Sequence, residues 1–440
     1  MQHTSWLDKL NGNEFGRVWA WGNNLDQLGD YVKASPCEMS DIPQSRPEPV
    51  LIAEATRRGA EFRFYTEFVS LVHDDLGVSV TLRSRETHEE KSKLVLNTEA
   101  PSWSAVGNFR MAHRWDEFVV SMHPASKDST TFSPSRAELL ERLHQMIGDA
   151  TVPVEILSHF TWTINDQVAE TWQQGRVLCI GDATHRHPPI NGLGSNTCIS
   201  DALNLAWKLA YVLQGCASPS LLDSLTPERK PVGDGVVRRV NEGMEAHRRL
   251  WDILGTTKAS CEEAELLLRQ HSAQGRMKRQ ELKRALEATE DEVQALGIQM
   301  NHVYLGIPGA VCLVEPGDAR PDFSSINTLC RQLITTFPGY HVPHIYGKGN
   351  FTLLTGIGGK PWREAVNAVL RERGDVINIH SIGIRCDYID CYGDWGSLRE
   401  VDDDGAILVR PDHSVAWRSI KASPKAEEKL FDAFKRLLGK

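Results

Sequence analysis

The chain has 440 residues, of which 24% are charged and 41% hydrophobic, so it can bury one large core or several smaller ones and is not a disordered polymer. The net charge of −9 comes without a clustered excess of Lys and Arg, which argues against a nucleic-acid or anionic-membrane surface. No apolar run reaches the roughly 20 residues that a membrane helix needs. Nine cysteines are scattered without a framework, and no basic region followed by an apolar run opens the chain. A reducing, cytoplasmic location is therefore expected.

Residues 1–40 are turn-rich and carry Trp6, Trp19 and Trp21. The spacing predicts a helix over 43–60, with Pro47 and Pro49 in its first turn and Gly59 at its end. Two β-rich runs over 61–85 surround "DDLG", a hairpin signature with Gly77 as turn residue, and "KLVL" (93–96) begins another strand. The pattern then breaks over 97–118. Residues 136–148 predict an amphipathic helix with Leu139, Leu140, Leu143 and Ile147 at helical spacing.

"RVLCIGD" (176–182) reads as a buried strand ending in a turn, and a helix over 197–214 follows, with Leu205, Leu209, Val212 and Leu213 on one face. Residues 226–300 are helical and charge-rich. Irregular apolar spacing and Gly275 favour a packed helix pair over a coiled coil. From about 301 onward, β-rich runs at 349–359, 375–384 and 405–418 enclose a helix at 361–374, which predicts a small α/β domain. "DDDG" (402–405) lacks calcium-loop spacing and reads as a hairpin turn. There are no internal repeats.

The chemistry concentrates in "GDATHRHPPINGLGSNTCISDALNLAWKLA" (181–210). A strand would deliver Gly181 and Asp182 to its C-terminal end, where α/β proteins place ligands, and Asp182 offers an acceptor for a sugar-like hydroxyl. Pro188 and Pro189 stiffen the loop and remove two backbone donors. Gly192 and Gly194 let the backbone approach a flat ligand. Asn196 and Thr197 open a helix whose free N–H groups favour developing negative charge, as on the pyrimidine edge of a reduced isoalloxazine. A metal site on Asp182, His185 and His187 lacks a third histidine or a cysteine pair, so no metal is assigned. No G-x-S-x-G motif supports a nucleophile elbow. An unliganded loop would not need two glycines and two prolines in eleven residues.

These residues resemble the second FAD motif of flavin-dependent aromatic hydroxylases of the phenol hydroxylase and 2,4-dichlorophenol 6-monooxygenase type. The matching positions are Gly181, Asp182, Ala183, His185, Pro188, Pro189, Gly192, Gly194, Asn196, Thr197, Asp201, Ala202, Asn204, Leu205, Ala206, Trp207, Lys208 and Leu209. "PERKPVG" (227–233) resembles the segment after that helix, and "PQSRPEPVL" the helix whose glutamine, here Gln44, reaches the FAD phosphates. "FTLLTGIGG", "YGDW" and "GAILVRPDHSVAWR" resemble a C-terminal thioredoxin-like domain.

The resemblance implies an α/β fold: a truncated, Rossmann-like FAD-binding domain with a β-rich substrate region over 1–300, and the thioredoxin-like domain over 301–440. It also implies FAD as cofactor, NADPH as co-substrate and transfer of one oxygen atom of O2 to a phenolic or polyketide-like aromatic ring. Asp182 would hold the ribityl chain. Pro189, Gly192, Gly194, Asn196 and Thr197 would line the flavin, and Gln44 would reach its phosphates. The expected partner is a small aromatic molecule, with a homodimer left open. His185 serves either the ligand or the loop's architecture, and Trp115 either lines the substrate cavity or packs in a core.

Three departures bear on this expectation. No G-x-G-x-x-G occurs, the Asp-Gly motif expected after "KLVL" is replaced by "NTEAPSWSAVGNF", and "PGYHVPHIYGKGNF" skips part of the C-terminal domain. A pyrophosphate carries about two negative charges, and its charge-assisted bonds to backbone amides contribute roughly 1.5–3 kcal/mol each. Losing several would weaken binding by a few powers of ten. A second expectation follows from the same residues: a shortened, non-catalytic relative that acts as a binding or partner subunit. No catalytic base is assigned. Cys386 and Cys391 lack C-x-x-C spacing, and His341 and His344 fit a structural turn.

Overall fold

The computed structural model describes every residue except 1–2, 21, 36, 38–41, 43, 45, 65, 74–76, 85–103, 105, 114–115, 124–133, 160–164, 257–260, 343–348, 374–376 and 440. Expectations that fall on Trp21, Asp74, Asp75, Leu76, the run 93–96, Trp115 and His344 lie outside the described residues. The chain divides into two compact units. The first comprises Met1–Asn24, Met39–Ile164 and Glu242–Val293, and the second Leu25–Glu38, Asn165–Asn241 and Gln294–Lys440.

In the first unit, the opening residues are more ordered than their turn-rich composition suggests. His3–Leu7 pairs antiparallel with Glu14–Trp19. The turn between them is tied by the Asp8 carboxylate, which accepts from the backbone amides of Lys9 and Asn13, both at 2.7 Å. The helix expected over 43–60 runs from Pro47 to Arg57, and Gly59 follows it with φ +94°. Antiparallel ladders join Thr66–His73 to Val78–Ser84 and Val106–His113 to Glu117–His123.

The amphipathic helix is Arg136–Ile147. Ser135 and Glu138 close a capping box at its start, and Gly148 ends it in the left-handed conformation. Its Leu139, Leu143 and Met146 pack on Val120 and Met122. The charge-rich region folds as packed helices: Leu250 and Leu254 meet Leu282 and Ala285, with Trp6 and Phe15 against them. Gly275 is required there, because a Cβ would lie 2.3 Å from the Gln270 carbonyl. The described residues of this unit hold three separate two-stranded antiparallel ladders and no parallel pair.

In the second unit, "RVLCIGD" forms no buried strand. Only Val177–Leu178 is extended, in a two-residue ladder with Gln173–Gln174, and its side chains are half-buried. Its β-forming residues find only this short hairpin partner among the described residues, and buried strands need neighbours on both edges. The motif helix begins earlier than expected, spanning Gly194–Leu213. Helix Leu225–Ile253 belongs to this unit as far as Asn241.

The C-terminal region is β-rich, as expected. Its four strands are ordered Ile377–Ser381, Phe351–Thr355, Ala406–Val409 and Val415–Ser419. The first two are parallel and the others antiparallel. Period-two alternation sends Phe351, Leu353 and Leu408 toward helices Lys360–Arg373 and Ala426–Leu438 and toward Trp207 and Tyr211. Leu354, Ile407 and Val409 face the other side. "DDDG" forms a tight turn, Gly405 N–H to Asp402 carbonyl, but it leads into a strand rather than joining a hairpin. The hairpin turn is Arg410–Ser414, where His413 takes φ +67°. No helix among the described residues is long and apolar enough to cross a membrane.

Candidate active site

The candidate residues from Asp182 to Thr197 lie on one continuous strap that ends in the first turns of the Gly194–Leu213 helix. Gly181 takes φ +62°, and a Cβ there would meet Cys198 Sγ at 3.1 Å, so only glycine fits without displacement. Asp182 is exposed. Among the described residues it forms no ion pair, and its carboxylate accepts only from Cys198 Sγ at 3.6 Å. That thiol is pushed up to about 11 by burial and by the charges of Asp182 and Asp201.

Pro188 is buried and Pro189 exposed. Asn191 and Gly192 both adopt positive φ, 63° and 61°, which turns the strap sharply into the helix. His187 donates from Nδ1 to the Pro188 carbonyl at 2.8 Å, and its ring rests 3.7 Å from where a Gly194 Cβ would be.

The helix start has no side-chain cap, since Leu193 is the N-cap residue. Asn196 and Thr197 turn back instead, donating to the Gly192 and Leu193 carbonyls at 2.7 Å each. Asn196 is exposed and Thr197 buried. The amides of this first turn, with the dipole behind them, form an anion-favouring end. Gln44 lies in the other unit, with an exposed side chain and a carbonyl that accepts from the Glu48 amide at 3.3 Å.

Beneath the strap lies a buried polar cluster that pattern reading left without a role. Asp201 Oδ2 accepts from the Gly181 amide at 3.1 Å and from His185 Nε2 at 2.9 Å, while Oδ1 accepts from Arg229 Nε at 2.8 Å. His185 is thereby an architectural residue of the strap: its ring is 2% exposed and packs 5.6 Å from Trp172. Arg229 also donates to Tyr304 Oη at 3.0 Å and to His302 Nδ1 at 3.2 Å.

One turn further on, Asn204 donates to Glu228 at 2.8 Å and to Asp412 at 3.1 Å. Lys208 donates to Glu228 at 2.7 Å, and Arg410 forks onto Glu228 at 2.6 and 2.8 Å and onto Asp412 at 2.9 and 2.5 Å. Three cations (Lys208, Arg229, Arg410) thus face three carboxylates (Asp201, Glu228, Asp412), and the charges cancel.

Burial alone would raise Glu228, but Arg410 and Lys208 outweigh it and hold the carboxyl far below the usual range. Desolvation brings the Lys208 ammonium down to about 8 against the pull of Glu228. Burial together with Arg229 keeps His302 well below the ordinary imidazole value. The signal for this cluster was present in "DALNLAWK", "PERKP" and "VRPD", whose charged residues sit among apolar ones.

An exposed carboxylate, a glycine-lined turn and an uncapped helix end suit a flat, hydroxylated cofactor that gains negative charge. Comparison with known proteins makes this an α/β flavin-binding protein. A family profile described as FAD binding domain matches residues 9–96 and 93–240, and one described as aromatic-ring hydroxylase, C-terminal, matches 332–440.

The 2,4-dichlorophenol 6-monooxygenase of Delftia acidovorans is 33% identical over 512 aligned residues, covering 100% of this chain and 86% of that protein. The phenol 2-monooxygenase of Pseudomonas sp. (strain EST1001) is 32% identical, covering 98% and 80%. The crystal structure of the flavin-dependent monooxygenase PieE with FAD and substrate superposes with a TM-score of 0.87 at 27% identity, covering 100% of this chain and 87% of that one. The chain belongs to the FAD-binding aromatic-ring hydroxylase family, and its activity class is FAD-dependent monooxygenation of an aromatic substrate.

Proposed function

We propose that the strap from Asp182 to Thr197 holds the flavin and that the ring hydroxylated is a phenol. The observation that carries this is Asp182: an exposed carboxylate without an ion pair among the described residues, on the strap that leads through a glycine-lined turn to an uncapped helix. When bound, FAD supplies the redox chemistry, accepting a hydride from NAD(P)H and activating O2 for insertion into the ring. The chain's own residues bind and orient. Asp182 would accept hydrogen bonds from ribityl hydroxyls. Asn191 and Gly192 would let the backbone approach a flat ring, Pro189 would present no competing donor, and Gly194 would leave the helix start free of a side chain. The first-turn amides, with Asn196 beside them, would favour the negative charge gained on reduction. Gln44 is assigned to the phosphates on resemblance alone.

A phenolic substrate is favoured over a polyketide because the relatives at 33% and 32% identity carry phenol names. The βαβ crossover followed by an antiparallel pair supports a thioredoxin-like assignment for the C-terminal region. A domain boundary near residue 300 belongs to the same proposal.

The test is to add FAD to the purified full chain, remove free cofactor by gel filtration and follow NADPH consumption with and without phenols. Retained flavin colour, lost in Asp182→Ala, and consumption stimulated by a phenol support the assignment. Colourless protein with no stimulated consumption would instead mark a non-catalytic relative.

A further inference from the structure

We infer that Arg229 and Arg410 are positioning residues for the flavin strap, so that the C-terminal region sets the affinity for FAD through them; this rests on the role given above to Asp182. Asp182 follows Gly181, whose amide is held by Asp201. The other oxygen of Asp201 is held by Arg229. Glu228, next to Arg229 on the same helix, is gripped at both oxygens by Arg410 from the C-terminal hairpin turn. Asp412 of that turn also takes the Asn204 side chain, one turn beyond Asp201 on the helix that begins at Gly194. A chain of buried, charge-assisted bonds therefore runs from the C-terminal turn to the amide before Asp182 and to the flavin-facing helix.

Every ionic member is at most 6% exposed, so no water can substitute for a lost partner. Each bond also fixes a direction, because guanidinium forks match carboxylates in one plane. Gly181 is buried and tied at both ends, its amide to Asp201 and its carbonyl to the amide and hydroxyl of Thr184. A small shift of Asp201 or Arg410 thus moves the carboxylate of Asp182 rather than dissipating in the loop. A cluster with only a structural role would change the melting temperature and leave the affinity of the folded protein for FAD untouched.

The test measures FAD dissociation constants for the full chain by quenching of flavin fluorescence, well below the melting temperature, with far-UV circular dichroism as the folding check. Arg410→Lys keeps the charge but loses the fork, and Asp201→Asn loses an acceptor. Each is expected to raise the dissociation constant roughly tenfold or more. Arg410→Lys that melts earlier yet binds FAD as the wild type does overturns the inference. Where a single variant fails to fold, the pair Glu228→Gln/Arg410→Met removes opposite charges together and is judged by the same two outcomes. If Asp182→Ala weakens FAD while Arg410→Lys does not, the inference alone fails. If the wild type binds no FAD, or Asp182→Ala binds unchanged, the reading of the strap fails and this inference with it.

Discussion

Glu228→Ala removes a carboxylate that accepts from Arg410, Lys208, Asn204 and the Val311 amide, all without access to water. The variant leaves Lys208 and Arg410 buried beside Asp412 alone. Breaking one side of a buried ion pair destabilises by about 3–5 kcal/mol, because the stranded charge keeps its desolvation penalty. That is a large fraction of the roughly 5–15 kcal/mol that holds a domain folded. Urea unfolding at pH 7, followed by tryptophan fluorescence, measures it, and Trp207 beside Arg410 reports on the cluster directly.

Lys208→Met added to Glu228→Ala removes one stranded cation and should recover part of the loss. Glu54→Ala, in an exposed pair with Arg57, should leave the midpoint unchanged. Because the folded value of Glu228 is depressed below 4.5, its contribution is present above that pH and is lost as pH falls further. A Glu228→Ala loss below about 1 kcal/mol would refute the idea that the cluster is a tightly coupled unit.

His123 lies in the first unit, where burial, with His247 and Arg248 adding to it, lowers it to about 4. A depressed histidine leaves the folded state neutral, so stability is full above about 6.5 and falls as pH drops toward 4. The drop is about 3 kcal/mol, and His123→Gln should flatten it in urea melts at pH 7 and 4.5. Asp182→Asn removes one of the charges that raise Cys198, so alkylation of that thiol at pH 8 should speed up severalfold, read by mass spectrometry. Gly181→Ala forces a left-handed alanine against Cys198 and should cost about 1–2 kcal/mol in thermal melts while weakening FAD.

What could be foreseen from the amino-acid order was local. The Arg136–Ile147 helix announces itself by its leucine stripe, while the Ser135–Glu138 capping box and the closing Gly148 emerge in the structure. The motif helix is equally plain, although its start is three residues earlier than 197 because the uncapped turn at Gly194 carries no side-chain signal. "RVLCIGD" misleads, because β-forming residues take a buried strand only when neighbours exist to pair with them, and here the ladder stops after two residues. The first ladder, His3–Leu7 with Glu14–Trp19, was hidden by short strands and a polar turn. The charged residues among apolar ones were visible, but their pairing was not: Arg410 meets Glu228 across 182 positions and Asn204 meets Asp412 across 208, distances over which periodicity carries nothing.

The central claim is that this chain inserts an oxygen atom into an aromatic ring with FAD held at the strap. The most direct measurement supplies the purified protein with FAD, NADPH, a phenol and isotopically heavy O2, and weighs the product. One heavy oxygen in a hydroxylated ring, absent with Asp182→Ala, is the predicted result. Consumption of NADPH that yields only hydrogen peroxide and unlabelled phenol, unchanged by that substitution, would contradict it.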